Sequence, residues 1–406
     1  MEENRLLYKV SSSFLKLKAY CEAENFKGWD PYDGLNSKVF QALPFKHWDL
    51  ARLAWIQGFK RSPINFRTLL LVPKEHNAKG VALFLLGYCR LYKLAESGCH
   101  DFGTKEELLN RIKEITDLLL NLRSKGYSGS AWGYNFDWQA RRLFLFPKHT
   151  PTVVATCFCV EALLESFEIT KDDVVLKATL SAADFVLNDL SRTPHGNGII
   201  FSYSIKDGNN TVINASLLGA KILSYSYKYT KNKLHAEIAK QAVTAACDLQ
   251  EEDGSWIYGL LPIQSWKDSF HTGFNLDAIE TYQQNTEDLS FQKYIDKGVR
   301  YYLDHFFEAN GMPKYYHNKT YPIDIHCPAQ VIVTLSKLNR FKNNEELLTK
   351  VLDWTIANMQ HKKGYFYYQL KPGMSSKISY MRWSNAFMFN AMSHFLLETK
   401  ATGYGS

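Results

Sequence analysis

Several loops of this chain gather residues that can carry protons, hold charge or stack on a flat ring. "WIYGLLPIQSWKDSFHTGFN" brings Tyr258, Trp266, Asp268, His271 and Asn275 together, and "YPIDIHCPAQ" adds Asp324 and His326. "SYMRWSNA" supplies Arg382, Trp383 and Asn385, and "GWDPYDGLNS" supplies Trp29, Asp30 and Asp33. "WGYNFDWQAR" carries Trp132, Tyr134, Asp137 and Arg141; "KHTPT" holds His149; "FSYSIKDGNNTVINAS" holds Tyr203 and Asn214. Aromatic rings beside Asp, Asn and Arg suit sugars, because rings cover the apolar sugar face while fixed polar groups hold the hydroxyls.

Two chemistries fit these residue types. Abstraction of the proton beside a uronic acid carboxylate needs a His or Tyr to take it, a second group to return it, and an Arg or Asn to neutralise the acid. Elimination from that intermediate makes a lyase; reprotonation on the other face makes an epimerase. His271, Tyr258, Asp268, Asp324, His326 and Arg382 are the expected catalytic set. Trp29, Asp30, Asp33, Trp132, Tyr134, Asp137, Arg141, His149, Tyr203, Asn214, Trp266, Asn275, Trp383 and Asn385 are the expected substrate-binding set. The alternative, glycoside hydrolysis, needs a carboxylate pair drawn from Asp30, Asp33, Asp137, Asp268 and Asp324. Asp also caps helices, and Asp268 and Asp324 each precede an apolar helical run.

These loops need a frame that turns them toward one place. Glycines that end polar stretches recur at Gly28, Gly80, Gly133, Gly198, Gly254, Gly311 and Gly364, spaced by roughly 52–65 residues. That spacing accommodates two helices of about 15 residues and two loops. The segments between glycines place apolar residues at helical spacing, as in "NASLLGAKILSYSYKYT" and "NKLHAEIAKQAVTAACDLQ". The helix after each glycine is the more apolar ("HTGFNLDAIETY") and the one before it the more charged ("SFQKYIDKGVRYYLDHFF"). A two-layer barrel gives that difference, with inner helices covered on all sides and outer helices wetted on one. The expected fold is all-α, an (α/α)6 toroid with a seventh hairpin possible, in one domain over 1–406. Residues 1–27 would form an N-terminal helix packed outside the ring. An open helical array is the competing frame.

"QEEDGSW" (Gln250 to Trp256) resembles the Gln-x-x-x-Gly-x-Trp repeat of terpene cyclases and their α/α-barrel relatives, and "QHKKGYF" is a degraded copy. In that family the motif clasps the end of an outer helix to the next inner helix, which implies a structural role for Gln250 and Trp256. The layout also resembles the α/α-toroid enzymes, namely six-hairpin glycosidases, toroidal polysaccharide lyases and sugar epimerases. "GWDPYDGLNS", "WGYNFDWQAR" and "RWSNAFMFNAM" together resemble an uncharacterised bacterial family associated with exopolysaccharide and capsule biosynthesis loci. That resemblance implies a cytoplasmic role in glycan assembly and assigns no catalytic residue. The chain lacks the Asp-x-Asp-Asp cluster of terpene cyclases. It also lacks the zinc loop of lanthionine cyclases, because Ile257 stands where their cysteine falls.

The bulk composition agrees. The 14% of aromatic residues is high, and a net charge of +7 is mild for 406 residues. No Lys/Arg block argues for nucleic acid, whereas a slight positive balance suits an anionic small molecule or glycan. The expected partner is a glycan, a sugar nucleotide or a lipid-linked saccharide. A non-catalytic scaffold binding the same ligands is the other reading. Neither a cofactor nor a metal is expected. No apolar run reaches the roughly 18 residues of a bilayer crossing. The charged start "MEENRLLYKV" lacks the pattern of a signal peptide. Seven cysteines without framework spacing fit reduced thiols, and hence the cytoplasm.

Overall fold

The computed structural model describes residues 2–140, 145–206 and 209–400. The chain opens with α1 (Glu2–Ala23), α2 (Lys38–Ala42), α3 (Asp49–Arg61), α4 (Ala78–Glu96) and α5 (Lys105–Asn121). The short strands β1 (Trp138–Gln139) and β2 (Leu145–Phe146) precede α6 (Val153–Thr170), α7 (Asp173–Leu180) and α8 (Ala182–Asp184). The hairpin of β3 (Arg192–His195) and β4 (Gly198–Phe201) leads to α9 (Ile213–Thr230), α10 (Lys233–Asp248), α11 (Ser269–Thr286) and α12 (Gln292–Phe306). Strand β5 (Ile323–Asp324), α13 (His326–Lys337), α14 (Glu345–Met359), β6 (Tyr367–Leu370), β7 (Ser376–Ser379) and α15 (Phe387–Lys400) complete it.

Among the described residues six helices, α4, α6, α9, α11, α13 and α15, form an inner ring. Each packs on the next, and α15 returns to pack on α4. The ring is closed, which decides between a toroid and an open array. Helices α5, α7, α10, α12 and α14 form the outer layer. Helix α1 joins that layer by packing on α14 and α15. Burial follows the layer: α4 is buried along nearly its whole length, whereas α12 buries the single face Ile295, Val299, Tyr302 and Phe306. Where α1, α4 and α15 meet, the ring of Phe389 lies 4.9 Å from Phe14 and 5.2 Å from both Phe84 and Tyr88. Burying one such ring contributes about 1.5–3 kcal/mol. No described helix is long and apolar enough to cross a membrane.

The expected clasp is present with a different partner. Gln250 donates from Nε2 to the carbonyls of Gly254 (3.0 Å) and Tyr294 (2.9 Å), and Tyr294 belongs to the next outer helix, α12. Gln360 does the same toward Gly364 and Ser13, both at 3.0 Å, and Ser13 belongs to α1. The motif therefore ties outer helix to outer helix, and the copy at Gln360 is intact in geometry. Trp256 donates to Ala246 O (2.8 Å) and Trp132 donates to Leu119 O (2.8 Å), so both wedge onto the last turn of the preceding outer helix.

The glycine series needs the same adjustment. Gly254 (φ +91°), Gly311 (φ +85°) and Gly364 (φ +101°) adopt left-handed backbone, and a side chain there would collide with the backbone of α12, α14 and α1 respectively. Gly198 meets α10 in the same way, and Gly129 meets Ser181. Gly80 instead lies in the first turn of α4, Gly28 packs on Met381, and Gly133 packs on the backbone at His149 and Thr150. Gly129 is thus the corner that the reading from sequence assigned to Gly133.

The loops over the inner helices' N-termini are joined hand to hand. Isolated bridges pair Thr152 with Ser204, Val212 with Gly259, and Asp268 with Tyr316. Asp324 pairs with Gln369 between β5 and β6, and Tyr380 pairs with Trp29. A side-chain bond from Asn77 Nδ2 to Asn135 Oδ1 (2.7 Å) spans the remaining interval. This belt fixes loops distant in sequence around one mouth.

Candidate active site

The belt encloses a cavity of about 490 Å³ whose floor is built from the first turns of the inner helices. Lys79 comes from α4, Val154 from α6, Asn214 from α9, Phe270 and His271 from α11, and His326 from α13. Arg382 and Trp383 come from a π-helical turn, Met381–Ala386, that runs into α15. Six helix N-termini therefore face one space, and their aligned N–H groups favour negative charge there. The walls are aromatic: Tyr32, Tyr134, Trp138, Tyr203, Tyr258, Trp266 and Tyr315. Trp138 stacks on Phe146 (5.0 Å, 13°), and Trp266 stacks on Tyr258 (4.5 Å, 12°). None of the described lining residues is an Asp or Glu.

His271 is held from behind. Asp268 caps α11 by accepting the His271 N–H (3.0 Å), and its carboxylate lies 2.7 and 2.9 Å from Nδ1 of the same residue. Trp266 Nε1 donates to Oδ2, the carboxylate oxygen nearer Nδ1 (2.9 Å). With Nδ1 taken by Asp268, Nε2 is the ring nitrogen left for the cavity, where the side chain is 20% exposed. A carboxylate at Nδ1 fixes the tautomer and stabilises the ring when it accepts a proton. Tyr258 sits 4.6 Å away, centroid to centroid, and burial, reinforced by Asp268, holds its hydroxyl protonated.

Arg382 is held in a comparable way. Its Nε and Nη2 donate side-on to both oxygens of Asp30 at 2.5 and 2.8 Å, leaving Nη1 without a partner among the described residues. Burial opposes the guanidinium charge, yet Asp30 outweighs it and keeps the group cationic. Asp30 is backed by Asp33, whose Oδ2 accepts the Asp30 N–H (2.9 Å) and whose Oδ1 accepts Arg67 Nε (2.7 Å).

His326 is almost fully buried, with its ring 3.6 Å from Phe387 and 4.3 Å from Trp383. Burial holds its pKa well below 6.5, with Arg382 adding to the effect, so the ring is neutral. Its Nδ1 has no hydrogen-bond partner and stands 3.8 Å from Asp324.

The structure sorts the expected residues into three groups. His271, Tyr258, His326, Arg382, Tyr134, Tyr203, Asn214, Trp266 and Trp383 line the cavity. Asp268 and Asp30 stand behind lining residues. The remainder are taken up by the framework. Asp324 accepts Trp383 Nε1 (3.0 Å), Gln369 Nε2 (2.6 Å) and the His326 N–H (3.0 Å), and so acts as a buried brace. Trp132 is a fully buried wedge, and Asp33 is locked to Arg67. Trp29 donates to Val72 O (3.0 Å), and Asp137 accepts the Lys148 N–H (2.7 Å). His149 is an exposed corner residue with φ +66°. Asn385 accepts the Phe366 N–H and donates to Ser379, both at 2.9 Å. Asn275 is buried away from the lining. Arg141 lies outside the described residues.

The reading from sequence missed Lys79. It follows an Asn cap in "NAKGVALF" as one cation opening an apolar helix, a signal that marks a polar role at a helix start. It missed Tyr315 as well, which sits in a loop that appeared to be only a corner.

No protein-family model matches the chain, and no curated protein matches its sequence. Solved structures share its fold. A sugar epimerase from a ruminal bacterium aligns with a TM-score of 0.59 at 13% identity, over 80% of this chain and 90% of that one. An unsaturated glucuronyl hydrolase specific for heparin aligns with a TM-score of 0.60 at 13% identity, over 97% of each. A polysaccharide lyase aligns with a TM-score of 0.52 at 14% identity, over 79% of this chain and 90% of that one. All are α/α-toroid proteins, and the likeness is one of fold.

Proposed function

We propose that the protein is a carbohydrate-active enzyme that moves a proton at carbon in an anionic sugar, in the manner of an epimerase or lyase. His271 Nε2 is the proton carrier, and Asp268 sets its tautomer. Arg382 Nη1 and the convergent helix N-termini receive the sugar carboxylate, and the Trp138–Phe146 and Trp266–Tyr258 stacks take the apolar sugar face. The observation that carries this reading is the polarity of the cavity: its floor presents cations, imidazoles and helix N-termini, with no carboxylate among its described lining residues. That composition disfavours hydrolysis by a carboxylate pair, since Asp30, Asp33, Asp268 and Asp324 are each bound to a partner behind the wall. An open cavity of about 490 Å³ favours a ligand-turning site over a purely mechanical scaffold. Fold neighbours that include an epimerase and a polysaccharide lyase lend support. Seven buried thiols support a reducing compartment, and the glycan-assembly role fits one.

The test is incubation with glucuronate, galacturonate and their oligomers in D2O. NMR would follow deuterium entering at carbon, and ultraviolet absorbance would follow a new C=C bond. Either signal, lost in His271→Asn, supports the reading. Sugar binding with neither signal would replace it with the scaffold.

A further inference from the structure

Lys79 is the least explained charged residue of the cavity. It is 4% exposed, borders the open space, and makes no ion pair with any described carboxylate. Its Nζ lies among the rings of Phe158 (4.1 Å), Phe387 (4.9 Å) and Phe274 (5.2 Å). The neighbouring cation is Arg382, whose backbone and Cβ pack on Gly80, the next residue along α4. His326 packs on the same Phe387 ring, 3.6 Å between centroids. The other titratable groups acting on Lys79 are Cys157, Cys159 and Asp30, and Asp30 is already engaged by Arg382. An amine in an apolar box beside a second cation is the arrangement that leaves a lysine uncharged and nucleophilic. Burial, then Arg382, lowers its pKa well below 10.5.

The geometry points to Lys79 as a covalent site for the free carbonyl carbon of an open-chain reducing sugar, held as an imine. Nζ attacks the aldehyde carbon, the C=O π electrons move to oxygen, and the proton released by nitrogen reaches that oxygen to give a carbinolamine. The C–O bond then breaks, the hydroxyl leaves as water with one added proton, and a protonated N=C bond remains. No oxidant or reductant is consumed. Water entering the open cavity carries the proton between nitrogen and oxygen. An iminium draws electrons from the adjacent carbon and so makes its C–H acidic, which gives His271 a proton to move. This proposal rests on the acid–base reading above and narrows the substrate to sugars with a free reducing end.

The experiment is trapping with sodium cyanoborohydride and D-glucuronate, followed by peptide mass spectrometry of the whole chain. Each unit of pKa depression makes the neutral amine about tenfold more abundant, so Lys79 should be labelled at least tenfold above exposed lysines such as Lys362. Labelling spread evenly over surface lysines, with none concentrated at Lys79, overturns the proposal. Lys79→Arg keeps a nitrogen-bearing side chain of similar reach but cannot form an imine, so it should lose deuterium exchange as completely as Lys79→Met; exchange retained in Lys79→Arg also overturns it. Exchange without trapping leaves the acid–base reading standing alone. Trapping without exchange in the wild-type protein removes that reading and keeps the covalent site.

Discussion

Asp268 and His271 stand one helical turn apart, with a carboxylate oxygen 2.7 Å from the imidazole Nδ1 and a second bond to the same residue's backbone N–H. One aspartate thus starts α11, braces Trp266 and aims His271 into the cavity. Its structural and chemical roles are the same set of bonds.

Replacing His271 with Asn should cut carbon-bound deuterium exchange by about 10²–10⁴-fold, the range for loss of a positioned proton carrier. The melting temperature should stay within a few degrees. Asp268→Asn should also slow exchange and shift its pH profile while leaving the melting temperature almost unchanged, because Asn caps a helix about as well as Asp. Rate profiles and thermal melts on both variants check this; an unchanged rate in His271→Asn rejects the assignment.

Trp132 and Trp138 lie six positions apart in sequence and should behave as opposites. Trp132→Ala removes a buried wedge and should destabilise by about 3–5 kcal/mol, as should Trp256→Ala. Trp138→Ala, on the cavity wall, should leave the denaturation midpoint almost unchanged and weaken sugar binding. Urea titrations and binding isotherms distinguish the two, and a stable Trp132→Ala protein that fails to bind would reverse the assignment.

Below the cavity Lys221 from α9 bridges Glu161 of α6 (2.7 Å) and Asp277 of α11 (2.8 Å), and Lys337 of α13 contacts both carboxylates. Lys221→Met should cost about 3–5 kcal/mol by leaving carboxylates buried with less compensation. Burial alone would raise the Glu161 pKa, but the two lysines outweigh it and hold it below its ordinary 4.5. The stability this provides is whole above pH 4.5 and is lost as pH falls below that value. Wild-type and Lys221→Met stability curves should therefore converge on acidification. A constant gap at every pH would show that charge is not the cause.

His326 gives a second pH signature. Its folded-state pKa lies well below 6.5 because the ring is buried, so the unfolded chain binds the proton more tightly. The stability from keeping it neutral is complete above pH 6.5 and drains as pH falls. His394 is depressed in the same way and contributes its own share. His326→Phe should flatten, without abolishing, the fall in melting temperature between pH 6.5 and about pH 5. An unaltered slope would place a proton on His326 in the folded state.

The ring was legible because its geometry repeats. Gln250 and Gln360 make the same pair of bonds, and Gly198, Gly254, Gly311 and Gly364 each press against the next outer helix, so spacing alone exposes them. Layer was legible too, since α4 is apolar on most of its surface and α12 on one face. Side-chain direction in the loops was not. Asp30, Asp268 and Asp324 resemble catalytic acids in sequence, yet the bridges between distant loops turn them behind Arg382, His271 and Trp383. Gly80 kept the period by coincidence, occupying a helix where a corner was expected. Lys79 escaped notice because α4 also carries Arg90 and Lys93, so the cation at its start did not stand out from the others.

The position of α1 has a consequence for biosynthesis. Ser13 bonds Gln360 at a sequence separation of 347 positions, and Val10, Phe14, Leu17 and Cys21 are buried in the finished fold. On the ribosome this helix emerges long before α14 and α15, its partners, exist. At about 5–20 residues per second its greasy stripe waits on the order of tens of seconds. A chaperone that recognises amphipathic helices would find in α1 a binding site that stays open until its partners are made.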